Sequence, residues 1–102
     1  MPEITDRARA VAALRFRALG DETRLRLLEL LTDGERTVGD LMDATRLGQS
    51  LVSHHLRTLR QAGLVVARRE GRWVFYGTAR AAVGSVSGVL DELAPSDGAD
   101  LA

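Results

Sequence analysis

Residues 47–65 read LGQSLVSHHLRTLRQAGLV, and this stretch decides the fold of the chain. Its pattern predicts an amphipathic helix over residues 49–62, with one apolar edge and one edge of Ser, His, Gln and Arg. Gly63 ends the helix, and an apolar strand follows at once. The stretch contains no acidic residue, although the whole chain has as many acids as bases. A helix of this kind suits insertion into the major groove of double-stranded DNA.

The two faces of this helix follow from a period of about 100° per residue. Val52, Leu56 and Leu59 fall within one narrow arc and are expected to face the core. The polar side chains predicted to contact DNA are Gln49, Ser50, Ser53, His54 and Arg57 on base edges, with Arg46 and Arg60 on phosphates. His55 lies near the apolar edge, where a half-buried histidine is expected in preference to a base contact.

A β-hairpin is predicted directly after the helix. Residues 65–69 and 72–77 have the composition of strands, and Glu70-Gly71 between them reads as a two-residue turn. The arginines around this turn are Arg68, Arg69 and Arg72. They are predicted to contact phosphates or an adjacent minor groove. The aromatic residues Trp73, Phe75 and Tyr76 are expected to pack the sheet.

Further helices are predicted on both sides of this region. Their ranges are 5–19, 22–32 and 38–45 before it and 79–93 after it. The start signals are Thr5 or Asp6, Asp21, and Thr37 with Asp40, and the stop signals are Gly20 and Asp33-Gly34. The predicted fold is therefore mainly α with a small β-hairpin, a winged helix-turn-helix in the order α-α-α-α-β-β-α. We expect one domain over residues 1–94 and a flexible tail over residues 95–102.

The charge of the chain is strongly segregated although its net value is zero. Residues 1–43 carry seven arginines and nine acids, net −2. Residues 44–82 carry seven arginines and only Glu70, net +6, and residues 83–102 carry four acids and no base. A basic block with acidic flanks is typical of a protein that binds nucleic acid with one face.

The chain resembles a known family in three motifs. Residues 16–28, FRALGDETRLRLL, resemble the ALADPTRLRIL signature of the ArsR/SmtB metalloregulator family. Residues 49–56 resemble the recognition helix of that family, and residues 71–76 resemble its wing. The resemblance covers about residues 8–93 and implies a cytoplasmic, homodimeric repressor that leaves its operator when an inducer binds.

Two apolar stripes predict how such a dimer forms. They are Val11, Leu14 and Ala18 on the first helix, and Val83, Val86, Val89, Leu90 and Leu93 on the last. A domain of this size has no second layer to cover both stripes, so a twofold dimer through them is expected. Its two recognition helices then reach successive major grooves about one turn of DNA apart, on an inverted repeat.

The sequence does not identify the inducer. Family metal sites use cysteines at the start of the third helix, or an Asp, His and Glu set on the last helix. This chain has no cysteine, and its last helix has no histidine. The candidate ligands for nickel or zinc are Asp6, His55, Asp91 and Glu92. The neighbouring His54 and His55 point about 100° apart and form a poor chelate.

Other classes of function are disfavoured. The chain has no phosphate-binding loop, no cysteine nucleophile and no histidine with an acidic partner at useful spacing, so no enzyme is expected. No apolar run reaches the roughly 18 residues that span a bilayer, and no secretion signal is recognisable, so a cytoplasmic protein without a membrane partner is expected. Two alternatives stay open: a winged-helix protein-interaction module, and a DNA-binding regulator whose sensing is done by a non-metal ligand or a partner protein.

Overall fold

The structure, a computed structural model, describes residues 4–95. The elements of this part are α1 (Asp6–Leu19), α2 (Glu22–Leu30), α3 (Val38–Thr45), α4 (Gln49–Gln61), β1 (Val65–Glu70), β2 (Trp73–Thr78) and α5 (Arg80–Leu93). The predicted order α-α-α-α-β-β-α and the winged helix-turn-helix fold are confirmed. Residues 96–102 of the predicted tail lie outside the described residues.

Side-chain caps start the first three helices where the sequence predicts them. The Thr5 hydroxyl accepts a hydrogen bond from the backbone N–H of Ala8 at 3.1 Å. Asp21 caps α2 by accepting from the N–H of Arg24 at 3.0 Å. At α3 the Thr37 hydroxyl accepts from the N–H of Asp40 at 3.1 Å, and the Asp40 carboxylate accepts from the N–H of Thr37 at 3.0 Å. This reciprocal pair is a capping box, which fixes the start of the helix-turn-helix.

Several predicted boundaries differ from the observed ones by one or two residues, and two of these differences affect the connections between elements. α2 ends at Leu30 and not at residue 32, and the guanidinium of Arg36 donates to the Leu30 carbonyl at 2.8 Å. In the hairpin Glu70 pairs with Trp73, so the two-residue turn is Gly71-Arg72 and not Glu70-Gly71. Gly71 has φ +60° at the first turn position, the conformation that a type II′ hairpin turn requires and that glycine adopts without strain.

The core holds α4 between the other helices and the hairpin. Its fully buried large side chains are Leu27, Leu41, Val52, Leu56, Leu59 and Leu64. The prediction that Val52, Leu56 and Leu59 face the core is confirmed. An isolated antiparallel bridge between Arg36 and Tyr76 ties the α2–α3 loop to β2. Within residues 4–95, no helix combines the length and the apolar character needed to cross a bilayer.

The turn between α3 and α4 gives the recognition helix its direction. Arg46 ends α3 with φ +64°, a left-handed conformation that reverses the chain, and its N–H donates to the Met42 carbonyl at 2.8 Å. Gly48 then stands at the N-cap of α4. α3, this turn and α4 together form the helix-turn-helix unit, with the polar edge of α4 outward.

Candidate nucleic-acid interface

The outward face of α4 carries the predicted contact residues. The exposed ones are Gln49, Ser50, His54, Arg57 and Arg60, and Ser53 is half-buried. Arg46, in the preceding turn, is exposed as well. The structure therefore brings this set together on one surface with three guanidinium groups and no acidic side chain of α4. Such a surface can donate to guanine O6 and N7 and to phosphate oxygens.

Leu51 is an exposed residue of α4 that belongs to neither predicted face. Its side chain is 44 % exposed in the first turn of the helix. Its position, about 100° from Val52 and away from the core arc, is the signal that could have identified it. An exposed apolar side chain at the start of a recognition helix can contact a thymine methyl group.

His55 lies on the inner side of α4, as the sequence predicts for a half-buried histidine. It is 8 % exposed, and its Nδ1 lies 3.2 Å from Nη1 of Arg24 and 4.0 Å from Oδ2 of Asp21. Because a guanidinium group has only donors, Nδ1 accepts this hydrogen bond and the imidazole is neutral. Burial lowers the pKa of His55, with further lowering by the charges of Arg24 and His54, while Asp21 acts in the opposite direction.

This lowered pKa predicts a loss of stability in mild acid. The unfolded chain takes up a proton on His55 near the ordinary histidine pKa of 6.5, whereas the folded chain resists it to lower pH. The free energy of unfolding therefore falls as the pH drops from about 7 to about 5.5. Urea denaturation at both pH values measures this change. We expect a weaker dependence in His55→Asn, and equal pH dependence of the two proteins would contradict the assignment.

The hairpin uses one of its three arginines internally. Arg68 donates to both carboxylate oxygens of Glu35, at 2.9 Å from Nη2 and 3.1–3.2 Å from Nε, and to Glu70 at 2.6 Å. These bonds lower the pKa of Glu35, and the two carboxylates raise the pKa of Arg68. The Arg68 guanidinium also lies 4.9 Å from the Phe75 ring centroid. Its contact with DNA stays a prediction; in the protomer its charge is paired with Glu35 and Glu70, and its side chain fastens the hairpin to the α2–α3 loop.

The tip of the hairpin keeps two exposed arginines, Arg69 and Arg72. The Arg72 guanidinium lies 5.2 Å from the centroid of the Trp73 ring, a cation–π distance. Trp73 is 54 % exposed, so the expectation that it packs the sheet is wrong. Phe75 and Tyr76 are half-buried, and Tyr76 contacts the core. The turn at Gly71-Arg72 explains the difference, because it places Trp73 directly after the turn, at the tip of the hairpin.

The predicted dimer stripes are only partly on the surface. The exposed members are Val11, Leu14, Val83, Leu90 and Leu93, and Val89 is half-buried. Ala18 and Val86 are 3 % and 6 % exposed and belong to the protomer's own core. Their place in the interface stays a prediction, and as buried side chains they offer almost no surface to a partner. The remaining residues leave an apolar surface on α1 and α5.

The candidate metal ligands do not come together within one protomer. Asp6 forms an ion pair with Arg9 at 2.8 Å, and His55 faces Arg24. Asp91 and Glu92 are exposed near the end of α5. No group of three His, Cys, Asp or Glu side chains able to hold a metal ion occurs among residues 4–95.

Comparison with known proteins identifies the class that this fold and surface define, the winged helix-turn-helix transcriptional regulators. The model of the bacterial regulatory protein arsR family matches residues 21–66. An uncharacterized HTH-type transcriptional regulator of Methanocaldococcus jannaschii is 42 % identical over 83 residues, 80 % of this chain and 93 % of that protein. A transcriptional repressor SmtB homolog of Synechocystis is 45 % identical over 80 residues, 76 % of this chain and 60 % of that protein.

A solved structure extends the similarity to the whole fold. The homodimeric winged helix-turn-helix DNA-binding domain from Mycobacterium bovis superimposes with a TM-score of 0.71 and 36 % identity, covering 91 % of this chain and 93 % of that one. The chain belongs to the ArsR family. It is a DNA-binding transcriptional regulator of a non-enzymatic family.

Proposed function

We propose that this protein is a cytoplasmic, homodimeric repressor that binds an inverted-repeat operator with α4 of each protomer in a major groove. The observation that carries the proposal is the outward face of α4, which has hydrogen-bonding and arginine side chains and no acid. The opposite face is locked into the core by Val52, Leu56 and Leu59. A recognition helix held on one side and polar on the other is what base readout in the major groove requires.

The proposed contacts divide into two kinds. Base edges are contacted by Gln49, Ser50, Ser53, His54 and Arg57, and phosphates by Arg46, Arg60, Arg69 and Arg72. The first kind carries the sequence preference, and the second supplies affinity that depends on salt. The N-terminus of α4 supports this docking, because Gly48 leaves its first amides without a side-chain cap.

Two findings support the dimer and the repressor role. The exposed apolar surface on α1 and α5 needs a cover, and the similar domain from M. bovis is homodimeric. The Synechocystis relative is named as a transcriptional repressor. In a twofold dimer the two α4 helices are related by the same symmetry axis as the half-sites of an inverted repeat.

A fluorescence-anisotropy titration tests the proposal. The purified protein is titrated at fixed salt, in the presence of chelator, against labelled DNA from upstream of its own gene and against a shuffled duplex. We expect tight, saturable binding to the upstream duplex and weak binding to the shuffled duplex. No binding to either duplex, together with random-sequence DNA that yields no enriched site, would favour a protein-interaction module.

Addition of nickel or zinc to the same titration tests the inducer. Because the candidate ligands do not meet within one protomer, we expect the affinity measured in chelator to persist when either metal is added. The inducer is then a non-metal ligand or a partner protein. Release of the DNA by one of the metals would contradict this and would indicate a site shared by two protomers.

The paired charge of Arg68 and the exposed charge of Arg72 predict different salt dependences of DNA binding. Replacing Arg72 by Gln is expected to reduce the magnitude of the slope of log K against log salt by about two, since each of the two protomers loses one phosphate contact. Arg68→Gln removes a charge that Glu35 and Glu70 already pair, so its slope is expected to stay near that of the wild type. Anisotropy titrations at four salt concentrations measure the slopes. A larger change in Arg68→Gln than in Arg72→Gln would contradict the assignment.

A further inference from the structure

Arg24 joins the end of α1 to the middle of α4. Its Nε donates to the Ala18 carbonyl at 2.6 Å and its Nη2 to the Arg17 carbonyl at 3.3 Å, both in the last turn of α1. Its Nη1 donates to Nδ1 of the buried His55 at 3.2 Å. One guanidinium thus donates to two carbonyls at the end of α1, one of which, that of Arg17, also accepts from the N–H of Gly20, and holds a side chain of α4 at the same time.

Arg15 makes a second connection between the same two helices. Its Nε donates to the Ala62 carbonyl, the C-cap of α4, at 3.0 Å. A Cβ added at Gly63 would lie 3.3 Å from its Nη2, so the guanidinium lies directly against the turn that ends α4. A cation at this position is favourable because the C-terminus of a helix carries partial negative charge.

Both connections join α4 to α1, the helix that carries the exposed apolar residues Val11 and Leu14. Leu14, 42 % exposed, is the neighbour of Arg15 in α1. In the proposed dimer α1 lies at the twofold axis, so the attachment of α4 to α1 determines where the two recognition helices stand relative to each other. Within residues 4–95, the side-chain hydrogen bonds of Arg15 and Arg24 involve neither the outward face of α4 nor the hairpin.

We propose that Arg15 and Arg24 are positioning residues that hold α4 at a fixed orientation to α1 and thereby set the spacing between half-sites that the dimer accepts. This inference rests on the proposed function. A rigid dimer binds both half-sites at one spacing. Once one protomer is bound, the other protomer reaches the second half-site within the same complex only where the geometry permits it. If α4 is held less firmly, affinity for the best operator falls because preorganisation is lost. Operators with other half-site spacings are then bound relatively better.

The test measures spacing preference in operators selected from random DNA. Two base pairs are inserted between the half-sites, which rotates one against the other by about 70° at about 10 bp per turn. The wild type is expected to bind the selected operator about tenfold or more tightly than the expanded one. In Arg24→Lys and Arg15→Lys we expect this ratio to fall to about threefold, because an ammonium group keeps the charge but not the fork of donors.

Arg26→Lys is the matched control. Arg26 lies on α2 with Arg24, and its nearest carboxylate, Glu29, is 3.9 Å away on the same helix. This variant is expected to keep the wild-type ratio. Circular dichroism and dimer mass are recorded for each protein, and Arg15→Lys, which alters a single side-chain hydrogen bond, serves if Arg24→Lys fails to fold.

The outcomes separate this inference from the proposed function. A reduced ratio in folded, dimeric Arg15→Lys, and in Arg24→Lys where that variant folds, supports the positioning role, because simple destabilisation lowers affinity for both operators equally. An unchanged ratio in Arg15→Lys, or in a folded Arg24→Lys, overturns it. A wild type with no preference between the two operators contradicts the twofold dimer itself.

Discussion

Replacing Arg57 by alanine is expected to weaken binding to the operator by about 1–3 kcal/mol and to relax the base preference at one position of each half-site. Arg57 is exposed on the outward face of α4, two turns into the helix, while its neighbour Leu56 is 1 % exposed and fixed in the core. The backbone at this point is therefore held rigidly, and the guanidinium can donate two parallel hydrogen bonds to guanine.

Competition anisotropy with single-base variants of the operator measures this effect. Arg26→Ala removes the same charge from α2, where the nearest carboxylate is Glu29 on the same helix at 3.9 Å, and reports the loss caused by net charge. A base contact by Arg57 lowers specific affinity far more than affinity for unrelated DNA. Equal losses for both kinds of DNA would instead indicate a phosphate contact, and wild-type affinity in Arg57→Ala would show that the reading face is misplaced.

Local signals were sufficient to predict the order of elements and the buried side of α4. The capping box of Thr37 and Asp40 and the cap at Asp21 are formed by residues three apart, so the sequence displays both partners together. The arc of Val52, Leu56 and Leu59 is likewise a property of one helix. Such features depend on backbone geometry within a few residues, and the structure confirms them.

The same local signals could not predict contacts between distant segments of the chain. Arg68 reads as a free charge beside Arg69, yet Glu35, 33 positions away in the sequence, pairs with it across the α2–α3 loop. The spacing that makes Val86 a member of an apolar stripe does not show whether its own protomer or a partner covers it. Each of these outcomes is decided by how elements pack, and the period of a single helix carries no information about its neighbours.

Leu90→Glu is expected to convert the dimer into a folded monomer and to abolish tight operator binding. Leu90 is 55 % exposed in the protomer, so a glutamate there is solvated when the chain is alone. In the proposed dimer each protomer carries the substitution, so the interface contains two glutamates. Each unpaired carboxylate taken out of water costs several kcal/mol. Light scattering gives the mass, and anisotropy gives the loss of binding to both half-sites at once.

The choice of residue decides whether this experiment reports on association. Val86→Glu places a charge in the core of the protomer, where Val86 is 6 % exposed, and unfolds the monomer whether or not a dimer exists. Ala81→Glu is the matched control, because nine residues at about 100° each put it on the opposite side of α5 from Leu90, and it is exposed. We expect Ala81→Glu to remain a dimer with wild-type affinity. A dimeric mass for Leu90→Glu would place the interface elsewhere on the molecule.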